Sequence, residues 1–405
     1  MPPRPTRRRL LVFNQYYHPG VEATAHLLTE LCEALAVDYD VTVVTGRLRD
    51  HENEPDYELR NGVEIIRVHS TSYDRAPLHR RALNYFTYLA RALRRGLRAK
   101  RPDVVLCMTD PPMVGDVALL VARRFRRPLV VISEDVFPEI AVELGRLTNP
   151  ILVRTLDLLT RWYLQRATCV VAIGETMRTR LEAKGVPPSR LRVIPNWADS
   201  SAIVPRERDN EWAREHGLTD RFVVMHSGNV GHAQDLDTLI CAAHTLADLD
   251  NLAVVIVGFG ARHARLEALR DDLNAGAVRF LPYQPRIVLP ESLSSADVHF
   301  VGLARGLAGY VVPSRLYGIL AAGRPVLVSA DPDSETAQLV QDIGCGIVVP
   351  PGNPDDVAAA IRSLAAGEHD LTAMGRRGRE YVEEKAGRAT AFASYRALLD
   401  ELVRT

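Results

Sequence analysis

The chain has 405 residues, 47% hydrophobic and 25% charged, which is long and apolar enough for two or three packed domains rather than one. Its 50 basic and 50 acidic residues cancel, excluding the strongly basic balance of a nucleic-acid-binding module. The cancellation hides a split: residues 1–200 hold 30 Lys+Arg against 23 Asp+Glu, leaving 20 against 27 for the rest, so the first half is the one suited to an anionic partner such as a membrane leaflet.

The opening MPPRPTRRRLLVF sets a basic start before an apolar stretch too short for a signal-peptide core or a spanning helix. Apolar runs then alternate with helix-period segments. Strands are expected at 10–13, 40–46, 103–108, 128–133, 168–174 and 191–196, with helices near 24–36, over VGDVALLVARRF and near 152–165. Between them, residues 79–101 carry Leu83, Phe86, Leu89, Ala90, Leu93 and Leu97 at helical spacing among dense arginines. This is the composition of an interfacial amphipathic helix, or of a domain helix with solvated arginines.

Residues 197–220 are polar, contain Pro205 and read as a linker with a first short helix. Alternation restarts with strands at 221–228, 252–258, 278–283, 297–302, 325–329 and 346–350. A last helix over 388–405 places Phe392, Tyr395, Leu398 and Leu399 at helical spacing. The fold class is therefore α/β, two Rossmann-like doubly wound domains, 1–198 and 199–387, with 388–405 crossing back toward the first. Cys32, Cys107, Cys169, Cys241 and Cys345 stand apart, without Cys-x-x-Cys or Cys/His ligand spacing, and read as buried thiols of a reducing cytoplasm.

Parallel sheets bind ligands beyond the carboxyl ends of their strands, so the strand-to-helix loops are the places to search. In HSGNVGHAQDLDTLI, Gly228 and Gly231 follow a strand and precede a helix, which lets the backbone approach a phosphate; turn glycines are the plainer reading. In VGFGARHARLEAL, Gly258 and Gly260 lack a third fingerprint glycine, since Arg262 and His263 stand there, and no acidic residue follows for a ribose. A dehydrogenase is disfavoured and a nucleoside-facing loop expected, with the base near Gly258, Gly260 or Tyr283. In GYVVPSRLYGILAAGRPVLVS, Pro313, Ser314, Arg315 and Leu316 open a helix whose Arg315 can hold a diphosphate, the alternative being a solvated arginine.

On the first domain, His18, Gly20, Glu22 and Thr24 form a small-residue loop and helix start suited to an acceptor glycan or pyrophosphate, although His18 also fits a structural role. The strand ending in SEDVFPE offers Glu134, Asp135 and Glu139, and a carboxylate there could take a hydroxyl proton or orient an acceptor, with Glu134 and Glu139 expected to be solvated.

The set YYHPG-x-EATAHLLTEL, IPNW-x-D, SGN-x-G, VPSRLYGILAAGRP and GCGIVVPPGNPDD resembles the GT-B glycosyltransferases of family 4, most closely the transferases related to the bacterial L-fucosamine and colanic-acid enzymes. The resemblance spans nearly the whole chain. It implies two domains facing each other across a cleft, 1–198 offering the acceptor and 199–387 holding the nucleotide, and retaining transfer of a hexosyl or N-acetylhexosaminyl group from a UDP-sugar, without cofactor or metal. It also makes Asp135 the preferred carboxylate for the acceptor hydroxyl's proton, because the family's functional loop lies at that strand end. The acceptor would be a glycan or polyprenyl-diphosphate-linked sugar at the inner face of the plasma membrane. The strings Asp235–Asp237 and Asp331–Asp333 then read as capping and turn acids, though spacing alone leaves a metal pair open.

Two departures stand out. Many relatives carry two glutamates eight positions apart where this chain has Tyr310 and Gly318, and Arg and Lys where it has Asn229 and Gln234. Arg315 is expected to supply the charge that Asn229 and Gln234 do not. Competing readings are a nucleotide-sugar epimerase of the same fold and a non-catalytic partner subunit of a transferase.

Overall fold

The computed structural model describes residues 7–20, 22–47, 54–71 and 78–404; the basic start at 1–6 and the side chains of 79–82, which head the arginine-rich segment, lie outside the described residues. The chain divides into two compact units, Met1–Pro195 with Ala391–Thr405, and Asn196–Thr390.

In the first unit, β1 (Arg8–Phe13), α1 (Ala23–Leu35), β2 (Tyr39–Gly46), β3 (Tyr57–Arg60), β4 (Val63–Val68), α2 (Leu78–Leu97), β5 (Val104–Cys107) and α3 (Val114–Phe125) follow one another. Then come β6 (Leu129–Ser133), α4 (Glu139–Glu143), α5 (Pro150–Leu164), β7 (Cys169–Ala172), α6 (Glu175–Ala183) and β8 (Leu191–Val193). Among the described residues they form an eight-stranded sheet ordered β3-β4-β2-β1-β5-β6-β7-β8. Residues of β5, β6 and β7 are buried along their whole length, as expected for central parallel strands covered on both faces.

The β3–β4 hairpin was not expected. It adds an antiparallel edge strand through a two-residue turn in which Asn61 and Gly62 both take positive φ, 46° and 82°. Gly adopts that conformation freely and Asn more readily than most residues, and an Asn-Gly pair between short apolar runs is a hairpin signal in its own right. The last strand is shorter than expected: β8 stops at Val193, and Pro195 has no amide to donate to a ladder.

The second unit contains α7 (Glu211–Glu215), β9 (Phe222–Ser227), α8 (Leu236–Thr245), β10 (Leu252–Val257), α9 (His263–Asp272), β11 (Val278–Leu281), α10 (Leu289–Ser294) and β12 (Val298–Gly302). After these come α11 (Arg315–Ala321), β13 (Val326–Ser329), α12 (Glu335–Ile343), β14 (Gly346–Val349), α13 (Pro354–Ala365) and α14 (Leu371–Glu384). Its six-stranded sheet is parallel throughout, ordered β11-β10-β9-β12-β13-β14. The chain ends in α15 (Arg388–Arg404), whose residues from Ala391 belong to the first unit. There Tyr395 and Leu399 are buried and Asp400 accepts from the Tyr39 hydroxyl at 2.7 Å and from Arg8 at 3.0 Å.

The first unit buries one lysine. Lys184, 2% exposed at the end of α6, donates to both Glu139 oxygens at 2.6 and 2.9 Å and to Asp157 at 2.8 Å. The lysine and the Arg161 guanidinium hold Asp157 below the usual carboxylate range, against the opposing effect of burial. Removing the cation leaves two partly buried carboxylates facing one another. Lys184→Ala is therefore expected to cost about 2–3 kcal/mol, read as a lower urea midpoint of the full chain at pH 7.

Candidate functional site

The strand order of the second unit reverses between β9 and β12, the switch point at which doubly wound sheets open a crevice. These two strands pair only at Val298↔Val224 and His299↔Met225, and the ladder stops there. The imidazole of His226 lies at this point, fully buried, with Nε2 3.3 Å from the Asn229 carbonyl and a further bond to the Phe300 backbone. Burial foremost, then the Arg315 charge, lowers its pKa well below the ordinary histidine value, so the ring is neutral.

Arg315, the first residue of α11 and partly exposed, places Nη1 2.9 Å from His226 Nδ1 and 3.0 Å from Nε2. Near-equal distances to both ring nitrogens set the guanidinium over the Nδ1–Cε1–Nε2 edge rather than along one lone pair. Among the described residues no carboxylate pairs with Arg315, and burial brings its pKa down to about 10. An unneutralised cation in such a place favours an anionic ligand.

The loops after β9 and β10 are stacked backbone on backbone. Gly228 donates to the Val257 carbonyl at 2.9 Å, Val230 to Phe259 at 3.1 Å and Arg262 to Val230 at 3.0 Å. A Cβ on Gly258 would lie 1.9 Å from the Gly228 carbonyl oxygen, and one on Gly260 2.3 Å from that of Val230. Gly258 also needs φ 137° and Gly228 φ 139°. The demand for glycine in the second loop is therefore loop contact, where sequence reasoning saw approach to a nucleoside. Arg262, standing where a third fingerprint glycine would be, binds both oxygens of Asp237 at 2.5 and 2.6 Å.

Gln234 Oε1 accepts from the Gly231 amide at 2.9 Å and braces the first loop, and the Asn229 side chain lies against Gly231 and Gly260. Tyr283 is 44% exposed with its hydroxyl 3.4 Å from the Phe259 carbonyl, and Phe259 is itself 64% exposed. Ser314 caps α11 by position but its side chain makes no capping bond, and Pro313 is buried. Leu316 needs correction as a binding residue: its side chain is 1% exposed in the core and its amide is taken by the Pro313 carbonyl at 3.1 Å. Asp235 accepts from Gly352 at 2.9 Å and Asp331 from Gly306 at 2.6 Å, contacts between loops distant in the chain; Asp235 stands before α8 but its side chain makes no capping bond.

In the first unit the order reverses between β1 and β5, where the Gln15 amide donates to the Asp110 carbonyl at 2.9 Å. Asn14 and Gln15 are buried at that point and carried no weight in the sequence reading, since polar residues following a strand look like any loop. Beyond β6, the Asp135 carboxylate bonds to no protein group among the described residues, and burial raises its pKa to about 6. Its neighbours are not solvated as expected: Glu134 is 8% exposed and Glu139 is held by Lys184. The sequence gives no sign of that pairing, because Lys184 lies 45 residues from Glu139.

His18 is half-buried, with its carbonyl accepting from Arg67 at 3.1 Å; burial first and the Arg60 charge next lower its pKa. Gly20 closes a turn onto the Tyr17 carbonyl at 2.8 Å, and a Cβ there would lie 2.9 Å from that same backbone oxygen, so the turn itself favours the glycine. Glu22 is the residue before α1 and Thr24 lies half-buried in its first turn. Helix α2 divides its apolar residues. Tyr88, Leu89 and Ala92 are buried, whereas Leu83, Phe86 and Leu97 are exposed, as are Arg91, Arg94, Arg95 and Arg98.

Residues 20–197 match the family model described as a glycosyl transferase 4-like domain, and residues 208–381 the one described as glycosyl transferases group 1. The chain is 25% identical over 408 residues to WbjE of Pseudomonas aeruginosa, described as a glycosyltransferase, covering 98% of each. It is 32% identical to WcaI of Escherichia coli K12, named for colanic acid biosynthesis, over 53% of this chain and 52% of that one. Two solved structures share the fold: sucrose-phosphate synthase from Thermosynechococcus elongatus (TM-score 0.81, 18% identity, 98% of this chain and 100% of that one) and Anabaena HepE in complex with UDP (TM-score 0.74, 14% identity, 97% and 100%).

The raised pKa of Asp135 sets a stability test. The folded chain holds this proton up to about pH 6, whereas the unfolded chain releases it near pH 4, so stability is lost as pH rises through that window and stays lost above it. Asp135→Asn removes the penalty. It is expected to stabilise the chain by about 1–2 kcal/mol at pH 8 and by little at pH 4, in paired thermal unfolding.

Proposed function

Because the chain belongs to the GT-B glycosyltransferases of family 4 and is related to the colanic-acid type enzymes, we propose that it performs retaining transfer of a hexosyl or N-acetylhexosaminyl group. The donor is a UDP-sugar, and the acceptor a glycan or a polyprenyl-diphosphate-linked sugar of a cell-surface polysaccharide. The observation that carries this reading is Arg315, a cation without a carboxylate partner among the described residues, beside the Gly228 loop at the switch point of the second unit.

The donor diphosphate lies at Gly228, Asn229, Gly231 and Arg315, with the base toward Tyr283 and the exposed Phe259. What favours a uridine base is that Anabaena HepE, of the same fold, was solved with UDP. As the acceptor oxygen bonds to the sugar C1, the C1–O bond to the diphosphate breaks and the charge that develops on the departing oxygen is balanced by Arg315. Asp135, with no protein partner and a raised pKa, is the group that takes the acceptor hydroxyl's proton, and His18, Gly20, Glu22 and Thr24 line the acceptor's approach.

Peripheral contact with an anionic membrane from the cytoplasmic side completes the reading. Its support is α2, where exposed Leu83, Phe86 and Leu97 lie on a helix that also exposes Arg91, Arg94 and Arg95, the composition of a segment that rests in a lipid interface. Among the described residues no helix is long and apolar enough to cross a membrane.

Turnover is measured with UDP-, GDP-, ADP- and dTDP-sugars. Transfer from the UDP-sugar is expected, and Arg315→Ala is expected to raise its KM or lower kcat/KM by roughly 10–100-fold, the worth of a charged hydrogen bond. Normal donor kinetics in that variant would remove the assignment. Conversion of the donor with no acceptor present would instead favour an epimerase, and activity only after adding a second protein a partner subunit.

Binding to liposomes is the second test. Phe86→Glu with Arg94→Glu is expected to abolish co-sedimentation with anionic vesicles at low salt. Wild-type chain that stays in the supernatant at both low and high salt counts against membrane contact.

A further inference from the structure

The neutral His226 lies between two structures that must agree in position, the Asn229 carbonyl of the β9 loop at 3.3 Å and the Arg315 guanidinium at 2.9–3.0 Å. It sits where the β9–β12 ladder stops, one residue before the end of β9, and no part of it is exposed. A ligand therefore cannot touch the ring while it stays there; whatever it does for a ligand passes through its neighbours. Arg315 has no carboxylate to fix it among the described residues, and α11 is only seven residues long, so the helix alone does little to hold the guanidinium. A free arginine would spread over many rotamers, and ordering it on binding would cost affinity.

We propose that His226 is a positioning residue: it holds the Arg315 guanidinium against the Gly228 loop, ready for the diphosphate of a nucleotide-sugar, and registers that loop to the charge through the Asn229 carbonyl. A Cβ placed on Gly228 would lie 3.9 Å from Arg315 Nε, so the open space left by the glycine side chain faces the arginine. The neutral imidazole supplies one N–H to a backbone carbonyl and sets its Nδ1–Cε1–Nε2 edge against the guanidinium. An aliphatic residue at 226, which would continue the apolar run of β9, supplies neither. This inference rests on the donor site proposed above and says what keeps that site formed while it is empty.

The test compares binding of UDP and of uridine, which lacks phosphates, to the full chain and to His226→Ala, His226→Gln, Arg315→Ala and the His226→Ala/Arg315→Ala pair, with thermal unfolding run on each. His226→Ala is expected to weaken UDP by about 5–10-fold and uridine by less than about two-fold, because only the diphosphate meets Arg315. In the double variant UDP affinity should match that of Arg315→Ala, since a residue acting through the arginine has nothing left to do without it. His226→Gln, whose amide can both donate and accept, should recover most of the loss.

Equal loss of UDP and uridine would mean that the ring only supports the fold, and additive losses in the double variant would mean that it acts apart from Arg315; either overturns the proposal. So does unchanged UDP affinity in His226→Ala. Wild-type chain that binds none of UDP, GDP, ADP or dTDP overturns the donor site itself, and the role of His226 falls with it.

Discussion

The second unit depends on how closely one loop can lie on another. The turn after β10 rests on the turn after β9 with carbonyl oxygens where side chains would otherwise stand, and it can do so only because Gly258 and Gly260 have no Cβ. Replacing either would push a methyl group into a backbone oxygen that three interloop hydrogen bonds hold in place. From this contact the rest of the rim follows. Arg262 is carried to Asp237, Phe259 and Tyr283 are left outward, and the Gly228 turn is fixed facing Arg315.

The chain's departures from its family acquire a physical content here. Gln234 is occupied with the Gly231 amide, so a hydrogen-bonding side chain at that position stiffens the loop that a cation elsewhere would charge. Gly318 is not forced by crowding, since a Cβ there would meet nothing nearer than Ile203 Cδ1 at 3.8 Å. Crowding at the Cβ therefore does not account for glycine at 318.

Both sheets were legible because central parallel strands are continuous apolar runs, and β5, β6, β7 and β10 read that way without ambiguity. The β3–β4 hairpin was legible too, through Asn61-Gly62, but alternation of strand and helix drew attention away from it. Other features were not legible in principle. Nothing near Glu139 announces Lys184, and nothing in PSRLY tells that Leu316 turns into the core while Arg315 turns out of it, because a helix of seven residues shows too few turns for a face to emerge. His226 left one trace, a polar residue inside FVVMHS, a strand otherwise apolar up to its last position. A buried polar group in such a strand has to find partners, and those partners identify the site.

The first unit is assembled from residues on both sides of the second in the chain. Tyr395 and Leu399 fill its core, Arg396 reaches the Ala34 carbonyl at 2.8 Å and Asp38 at 3.0 Å, and Asp400 meets Arg8 and Tyr39. A ribosome delivers these residues only after all of 196–390 has emerged. The second unit, contiguous in sequence, can therefore reach its native state during synthesis while the first still lacks part of its core. A nascent chain thus leaves uncovered the surface that α15 will pack against for as long as the intervening unit takes to be made, and the arginine-rich half of the protein is the half that waits.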